Sequence, residues 1–276
     1  MTRFSLALMF SLTLFATTDI LAQPRQREVK WVNPEITKAP GLTHKVLKSE
    51  ALGHDVGYVV WTPPEMDTSG ATRYPVVYFL HGAGGSEKSD SAGFSAMVAG
   101  AIRSGKFPAA ICVFPNGGMS GYRGEVQKMI VDELVPLIDK EYPTKAQQSA
   151  RVACGFSMGG AGSVRLALEH PDLFAAAGSW GGALNWRGRQ EDSDMLPTAK
   201  QNAAELKRND FALLTINGDQ DHADGFDLLK EILTAAGVPH ETVVLADTNH
   251  NLGKYYQGSR EKMLEFLAGR LKSSED

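Results

Sequence analysis

Continuous apolar runs of strand length alternate with amphipathic segments along most of the chain. The apolar runs include "YPVVYFLHG", "AAICVFPNGG" and "RVACGFS", which stop at glycines or turn residues as strands covered on both faces do. The segment "GEVQKMIVDELVPLIDKEY" instead repeats apolar residues at helical spacing, and Pro136 predicts a kink within that helix. Repeated units of strand and helix predict an α/β protein with a mostly parallel, twisted sheet and helices on both faces.

The same patterns predict the elements at both ends of this alternation. "HKVLKSEAL" and "HDVGYVVWTPP" indicate an opening β-hairpin. After "RVACGFS" the predicted order is the helix "AGSVRLALEH", the strands "FAAAGSWGG" and "FALLTINGD", the helix "GFDLLKEILTAAG", the strand "HETVVLAD" and a last helix. Between Gly182 and Arg208 the pattern weakens, which is typical either of an excursion over the active face or of a surface loop with one helix. In such sheets, functional residues gather at the carboxyl ends of the strands.

The N-terminal sequence "MTRFSLALMFSLTLFATTDILAQ" has the pattern of a secretory signal. It has a cationic start at Arg3, an apolar stretch and a small-residue cleavage point after Ala22. A retained membrane anchor is the alternative, but the apolar stretch is shorter than the ~20 residues that a spanning helix needs. We expect a signal peptide over residues 1–22, an N-terminal arm or linker over 23–41 and one α/β domain over 42–276, exported to the periplasm or out of the cell.

Composition excludes some classes of partner. The chain has 276 residues, of which 43% are hydrophobic and 22% charged, as is usual for a globular protein. Its formal net charge of -4 provides no basic field for nucleic acid. We therefore expect no nucleic-acid partner, and no membrane association once the signal is removed. The sequence leaves the oligomeric state open.

A serine between glycines, in "ARVACGFSMGG", is the first candidate for chemistry. Residues 155–159 match G-x-S-x-G between a predicted strand and a predicted helix, where a sharp turn raises the serine hydroxyl above the sheet. Flanking glycines are needed because side chains there would collide with neighbouring backbone. Ser157 is therefore the candidate nucleophile, and a glycine-rich turn with a solvated serine is the alternative.

A serine nucleophile needs a general base and a carboxylate that orients the base, and with G-x-S-x-G these follow in the order acid, histidine. Asp221, in "INGDQD", and His250, in "ADTNHN", each follow a predicted strand, so both can reach Ser157. Asp219 and Asp224 lie near the same strand end and remain possible acids. The other candidate bases are expected to be surface or packing residues: His44, His54, His170, His222 and His240.

The segment "FLHGAGGSEKSD" indicates where backbone N–H groups can stabilise an oxyanion. Glycines after a strand allow amides to point into the site, and we expect Ala83 and Met158 to provide them, with Gly84 next. The segment also nearly matches a phosphate loop, but Glu87 replaces a required glycine and would repel phosphate. The aspartates after "NG" do not have the spacing of a calcium loop. We therefore expect no cofactor and no metal.

Together these motifs resemble the α/β-hydrolase-fold esterases that include esterase D (S-formylglutathione hydrolase), feruloyl esterases, enterochelin esterases and the antigen 85 mycolyltransferases. The resemblance rests on "YPVVYFLHGAGG", "VDELVPLIDKEYPT", "ARVACGFSMGGAGSVRLALEHPDLFAAAGSWGG", "NGDQD" and "NHN", and it covers most of the chain after residue 73. It implies the α/β-hydrolase fold, with the region 42–276 as the catalytic domain. For the site it implies Ser157 as nucleophile, Asp221 as acid, His250 as base, and Ala83 and Met158 as oxyanion donors.

The chain departs from this family next to the histidine. Many members have glycine before it and an aromatic residue soon after. Here Asn249 precedes His250, and the first aromatic residues that follow are Tyr255 and Tyr256. These differing residues lie where the resemblance places the pocket for the leaving group.

The two cysteines are expected to be unpaired. In the usual strand order of this fold, the strands of Cys112 and Cys154 flank the strand "YPVVYFL" rather than each other. Two strand spacings of ~4.8 Å exceed the ~7 Å limit on the Cα separation of a disulfide. Both cysteines should then be small buried apolar residues.

The resemblance implies a serine esterase that hydrolyses carboxylic esters through an acyl-enzyme, and the predicted signal peptide implies that it is exported. The expected substrate is a small-molecule or polysaccharide-linked ester, with feruloyl or acetyl groups on carbohydrate as the first expectation. Tyr122 and Trp186 are candidates for binding the substrate, as is Trp180, although each could equally be a packing or surface residue. Acyl transfer to an alcohol, as in the mycolyltransferases, and a non-catalytic binding module on the same scaffold are the alternatives.

Overall fold

The computed structural model describes residues 28–67, 69, 71–184, 195–221 and 225–271. Within these ranges one sheet contains the strands β1 (Leu42–Ser49), β2 (His54–Trp61), β3 (Val76–Leu80), β4 (Ile111–Pro115), β5 (Arg151–Phe156), β6 (Ala176–Trp180), β7 (Ala212–Gly218) and β8 (His240–Leu245). Their order in the sheet is β1-β2-β4-β3-β5-β6-β7-β8. β2 runs antiparallel to β1 and β4, and the remaining neighbours are parallel. The opening hairpin and the mostly parallel sheet predicted from the sequence are confirmed.

Helices cover both faces of the sheet, as predicted. They are α1 (Ser91–Arg103), α2 (Gly124–Lys128), α3 (Val135–Glu141), α4 (Met158–Glu169), α5 (Met195–Arg208), α6 (Asp227–Ala236) and α7 (Leu252–Leu271). One buried cluster contains side chains from α1 and α7, and a second contains side chains from the other helices. β3 and β4 lie between these clusters and are buried at every position, which explains their unbroken apolar sequences.

The helix predicted around Pro136 is interrupted by a π-helical turn. α2 and α3 are joined by Met129–Leu134, whose backbone is π-helical. Pro136 lies in the first turn of α3. A proline has no N–H to donate to the preceding turn, and its ring collides with the carbonyl four residues back. The interruption expected at this proline therefore takes the form of a wider turn just before it.

Cys112 in β4 and Cys154 in β5 lie on opposite sides of β3. They are in register with Val77 and Phe79 of that strand. Both cysteines are free and fully buried, and burial raises the pKa of both thiols. The prediction that they are unpaired is confirmed.

The end of the N-terminal arm contacts the loop that follows β3. The backbone N–H and the side-chain amide of Asn33 both donate hydrogen bonds to the fully buried carboxylate of Glu87. This carboxylate also accepts a hydrogen bond from Asn116 at 2.8 Å and contacts the His44 ring at 3.1 Å. A buried carboxylate is stable only with such partners. Glu87, the residue that departs from the phosphate-loop pattern, thus links the arm to the domain.

The N-terminal residues 1–22, predicted to be a signal peptide, lie outside the described residues. Within the ranges that are described, no helix has the length and apolar character needed to cross a membrane.

Candidate active site

Ser157 occupies a sharp turn between β5 and α4. Its backbone has φ 59 and ψ -121, a conformation that residues other than glycine rarely adopt. A Cβ atom on Gly155 or Gly159 would overlap the backbone carbonyl of Leu80 in β3. Only glycine allows the turn to lie this close to the neighbouring strand, so the reason given from the sequence for the flanking glycines is confirmed.

A line of hydrogen bonds joins Ser157, His250 and Asp221. The Ser157 hydroxyl lies 2.8 Å from Nε2 of His250, and Nδ1 of His250 lies 2.8 Å from Oδ2 of Asp221. The carboxylate can only accept, so Nδ1 carries the proton and Nε2 is free to accept from the serine. This is the arrangement in which an imidazole takes the proton of an attacking serine and a carboxylate stabilises the resulting imidazolium.

His250 and Asp221 differ in their exposure to solvent. The side chain of His250 is 30% exposed, whereas that of Asp221 is 4% exposed. The ring of Phe156 stacks on the His250 ring, with centroids 4.8 Å apart and planes inclined at 28°. The imidazole is therefore held on one face by an aromatic ring and at one edge by a shielded carboxylate, while it remains accessible from the cavity.

Asp219, a possible acid from the sequence, has different contacts. Its Oδ1 atom accepts a hydrogen bond from the backbone N–H of Thr248 at 3.1 Å, and its own N–H donates to the carbonyl of Leu245. It therefore links the loop after β7 to the loop after β8. Asp221 is the carboxylate that the structure brings to the imidazole. Asp224 lies outside the described residues.

The other histidines that the sequence raised as bases have contacts elsewhere. These contacts are His44 with Glu87, His54 with the ring of Trp31, His170 with Gln127, and His240 with the carbonyl of Val238. His222 lies outside the described residues. In the described part of the chain, no three histidine, cysteine, aspartate or glutamate side chains are grouped so that they could hold a metal ion.

The loop after β3 is fixed by His81. The ring Nδ1–H donates to the carbonyl of Gly82 at 2.8 Å, and Nε2 accepts the backbone N–H of Gly117 at 2.9 Å. Burial lowers the pKa of His81, so the ring stays neutral and keeps the tautomer that both contacts require. The His81 carbonyl also accepts the hydroxyl of Tyr122. A buried histidine thus holds the glycine-rich loop against the rest of the site.

A cavity of about 870 Å³ opens at Ser157 and His250. Ala83 and Met158, which the sequence suggests as oxyanion donors, line it together with Ser157. Their role as donors stays a prediction, because the amides have to be tested against a reacting ester.

The lining of this cavity combines apolar and hydrogen-bonding groups. The apolar group contains Met119, Phe156, Met158, Ala161, Ala183 and Leu252. The polar group contains Ser89, Asp90, Ser120 and Arg123. Asp90 has a left-handed backbone, with φ 62, and burial raises the pKa of its carboxyl. Strained, partly desolvated polar residues of this kind concentrate at binding sites.

Tyr122, expected to bind substrate, lies in the core instead of the cavity. Its side chain is fully buried, and its hydroxyl donates to the carbonyl of His81 at 3.0 Å. Its ring occupies space that side chains at Gly117 and Gly162 would otherwise fill. This corrects the interpretation from the sequence, because the two glycines make room for the ring beneath the loop.

Trp180, one of the two tryptophans suggested for the pocket, does not line it. Trp180 is fully buried, and its indole N–H donates to the hydroxyl of Ser259 at 2.9 Å, so it is a packing residue. Trp186 lies outside the described residues, and its role in substrate binding stays a prediction.

Tyr255 is a neighbour of the site that the sequence did not identify as functional. Its hydroxyl donates to Oδ2 of Asp221 at 2.6 Å and accepts the backbone N–H of Gly218 at 2.8 Å. The sequence showed only an aromatic residue in the last helix. Its proximity to Asp221 depends on how α7 packs along β7, which no local pattern reveals.

Comparison with known proteins identifies a family and curated relatives. A family model described as "Putative esterase" matches residues 49–223. An esterase of Mycobacterium tuberculosis is 32% identical over 158 residues, which are 54% of this chain and 34% of that protein. An endo-1,4-beta-xylanase/feruloyl esterase of Xylanibacter ruminicola is 29% identical over 208 residues, which are 71% of this chain and 26% of that protein. The matched region thus spans about a third or less of these relatives.

Solved structures show the same fold. A ferulic acid esterase superposes with a TM-score of 0.72 at 22% identity, covering 83% of this chain and 98% of that one. A ferulic acid esterase of Anaeromyces mucronatus gives 0.68 at 19% identity, covering 90% and 95%. An S-formylglutathione hydrolase of Agrobacterium tumefaciens gives 0.66 at 16% identity, covering 85% and 98%. The α/β-hydrolase fold predicted from the sequence is confirmed.

Proposed function

This chain belongs to the Putative esterase family, and we propose that it is an exported serine esterase that hydrolyses carboxylic esters. The observation that carries the proposal is the line of two 2.8 Å hydrogen bonds from Ser157 through His250 to Asp221. Acyl transfer needs a serine nucleophile, a base within hydrogen-bond distance of it and a carboxylate behind the base. The line contains all three, with the serine on a strained backbone and the carboxylate shielded from solvent.

In the proposed acylation step, Ser157 Oγ attacks the carbonyl carbon of the ester while its proton moves to Nε2 of His250. Asp221 stabilises the imidazolium that forms. The carbonyl oxygen becomes an oxyanion, and the backbone N–H groups of Ala83 and Met158 donate hydrogen bonds to it. The C–O bond to the alcohol then breaks, and the leaving alkoxide takes the proton from His250.

In the proposed deacylation step, a water molecule enters on the side that the alcohol has left. His250 accepts a proton from this water, whose oxygen attacks the acyl carbon. The same two amides stabilise the second oxyanion. Collapse breaks the bond to Ser157 Oγ, which recovers its proton from His250, and the carboxylic acid departs.

For the substrate, we propose an acyl group attached to carbohydrate, with feruloyl or acetyl as the acyl group. The mixed lining of the cavity supports this class. Apolar side chains such as Phe156 and Leu252 suit the acyl part, while Asp90, Ser120 and Arg123 suit the hydroxyl groups of a sugar. The similarity to several feruloyl esterases supports the same substrate class.

The catalytic proposal is tested with a fluorophosphonate probe and an activated ester, p-nitrophenyl acetate. The wild-type protein should be labelled at Ser157 and hydrolyse the ester, whereas Ser157→Ala should do neither, with a loss of about 10⁴-fold to 10⁶-fold in kcat. Ser104→Ala is the control, because Ser104 is an exposed serine at the end of α1. A folded Ser157→Ala protein that keeps a tenth of wild-type turnover would contradict the proposal.

The substrate class is tested by comparing feruloylated and acetylated oligosaccharides with the methyl esters of the same acids. The carbohydrate esters should have the higher kcat/KM, because the sugar reaches the polar part of the cavity. Equal values for each pair would rule out recognition of the carbohydrate.

Export is proposed from the charge and apolar pattern of residues 1–22. Expression of the full sequence in a bacterial host should deliver a protein that begins at Gln23 to the periplasm or medium. A version without residues 1–22 should stay in the cytoplasm. N-terminal sequencing of the fractionated protein distinguishes the two, and an unprocessed N-terminus in the membrane fraction would favour a retained anchor.

A further inference from the structure

The hydroxyl of Tyr255 connects the end of β7 to the candidate acid. It accepts the backbone N–H of Gly218 at 2.8 Å and donates to Oδ2 of Asp221 at 2.6 Å. This carboxylate oxygen is the one that also accepts the Nδ1–H of His250. Tyr255 is therefore separated from the imidazole by a single shared oxygen atom.

Water has little access to the hydrogen bond between Tyr255 and Asp221, so it cannot readily replace the tyrosine hydroxyl as donor. The side chain of Asp221 is 4% exposed, and Tyr255 is fully buried. A buried carboxylate oxygen depends on donors from the protein, and an O–H donor to an anion forms one of the stronger hydrogen bonds. Burial, and then the hydrogen bond to Asp221, raise the pKa of Tyr255 above its ordinary value, so the hydroxyl keeps the proton that it donates.

Packing fixes the direction of the Tyr255 hydroxyl. Its ring centroid lies 5.6 Å from that of Phe156 in an edge-on contact, and Phe156 in turn stacks on His250. The backbone N–H of Tyr255 donates to the carbonyl of Asn251 at the start of α7. The hydroxyl is thus held in place before any substrate arrives, which is what a group that orients another requires.

We propose that Tyr255 is a positioning residue of the esterase reaction. Its hydroxyl fixes the Asp221 carboxylate and limits how strongly that carboxylate stabilises the imidazolium form of His250. The proposal rests on the function proposed above. The same hydroxyl also satisfies the N–H of Gly218, so a purely structural role is the interpretation that the experiment has to exclude.

The two roles predict different pH behaviour. Without the O–H donor, the negative charge of Asp221 is shared with fewer partners and stabilises the imidazolium of His250 more strongly. The base then loses its proton only at higher pH, so the acid limb of the kcat/KM profile moves up. A merely structural contribution would lower the amount of folded protein and leave the profile where it is.

The first measurement compares Tyr255→Phe with Tyr256→Phe. Tyr256 is the matched control, because its hydroxyl is buried and has no hydrogen-bond partner among the described residues. In Tyr255→Phe, kcat on p-nitrophenyl acetate should fall about tenfold to 100-fold, the size expected for one hydrogen bond to a charged group, while KM changes by less than about twofold. The acid limb should move to higher pH. Tyr256→Phe should retain the wild-type kcat and profile.

A second comparison tests whether Tyr255 acts through Asp221. In the Asp221→Asn background, Tyr255→Phe should cause little further loss, because the interaction that it removes no longer involves an anion. Two independent, multiplicative losses would overturn the proposal. So would a Tyr255→Phe protein with the wild-type pH profile.

Two further measurements each remove one dependence: the first does not use Tyr255→Phe, and the second does not rely on catalysis. 3-Fluorotyrosine at position 255 keeps both contacts and strengthens the donated hydrogen bond, so the acid limb should move to lower pH. In the Ser157→Ala background, NMR titration of His250 should give a higher midpoint with Tyr255→Phe and an unchanged one with Tyr256→Phe. Unchanged midpoints in all variants would overturn the positioning role. Failure of the esterase proposal is recognised separately, by a wild-type protein that neither hydrolyses esters nor reacts with the fluorophosphonate.

Discussion

The carboxylate of Asp219 accepts a hydrogen bond from the backbone N–H of Thr248 at 3.1 Å. Asp221, two residues further on, instead receives the Nδ1–H of His250 at 2.8 Å. The two aspartates therefore divide two tasks between them. One joins the loops that carry the acid and the base, and the other contacts the base itself.

Exchanging each aspartate for asparagine should separate these tasks. Asp221→Asn retains the shape of the side chain but removes the charge that stabilises an imidazolium, and we expect a loss of about 10⁴-fold in kcat. Asp219→Asn keeps an oxygen that can accept from Thr248 and should lose less than about tenfold. Hydrolysis of p-nitrophenyl acetate, with circular dichroism to confirm folding, measures both. If Asp219→Asn were the more damaging change, the assignment of the acid would have to be exchanged.

Asp90→Asn should affect carbohydrate esters more than small esters. Asparagine tolerates the left-handed backbone at this position, so the change should add little strain. A hydroxyl group donates more strongly to a carboxylate than to an amide oxygen, and we expect KM for a carbohydrate-linked ester to rise by about threefold to tenfold. Because p-nitrophenyl acetate has no sugar, its KM and kcat should stay the same. An equal effect on both substrates would show that Asp90 does not contact the carbohydrate.

Gly159→Ala should destabilise the protein, whereas Gly93→Ala should not. Both glycines lie in helices, but a Cβ on Gly159 would overlap the backbone of Leu80, and a Cβ on Gly93 meets no atom within 4 Å. We expect the free energy of unfolding to fall by about 3 kcal/mol or more for Gly159→Ala. For Gly93→Ala it should rise by up to about 1 kcal/mol, because alanine is the better helix former. Urea unfolding curves provide the comparison, and similar stabilities would show that the turn at Ser157 can move away from β3.

His81 should make the protein less stable as the pH falls below about 6.5, the ordinary pKa of an unfolded histidine. Burial lowers the pKa of His81 in the folded state, so in this range the unfolded chain binds a proton that the folded protein does not. The contribution of the neutral His81 ring to the free energy of unfolding is complete above about pH 6.5. Toward lower pH this contribution decreases by up to about 1.4 kcal/mol per pH unit.

His81→Gln is the variant that tests this. It removes the titrating ring, so the slope of unfolding free energy against pH between about 5 and 6.5 should become smaller. The measurement is urea unfolding at several pH values for both proteins. Equal slopes would mean that His81 binds protons alike in the folded and unfolded states.

The sequence predicted the fold and the members of the hydrogen-bonded line because their signals are local. Apolar runs ending at glycines predicted the strands, and G-x-S-x-G between strand and helix identified Ser157. His250 and a group of three candidate acids, Asp219, Asp221 and Asp224, followed from their positions after consecutive parallel strands, whose carboxyl ends meet at one edge of the sheet. The family resemblance then favoured Asp221 among the three. Each of these inferences needed only a short segment and the rule that orders the segments.

Tyr122 and Tyr255 were not predictable in this way. Tyr122 is buried because Gly117 and Gly162, distant from each other in sequence, both lack a side chain where its ring lies. Tyr255 contacts Asp221 because α7 packs along the strand that ends before the acid. Both positions depend on packing between elements. The sequence around an aromatic residue does not indicate which residue of another element it will contact.

The separation of Cys112 and Cys154 by β3 has a consequence for where the chain can fold. They are the only two cysteines in the sequence, and each thiol is sealed in the core on its own side of the central strand. The native protein therefore has no covalent crosslink to form and needs no oxidant or disulfide isomerase. We therefore expect the chain to reach the same structure in a reducing cytoplasm as in an oxidising periplasm.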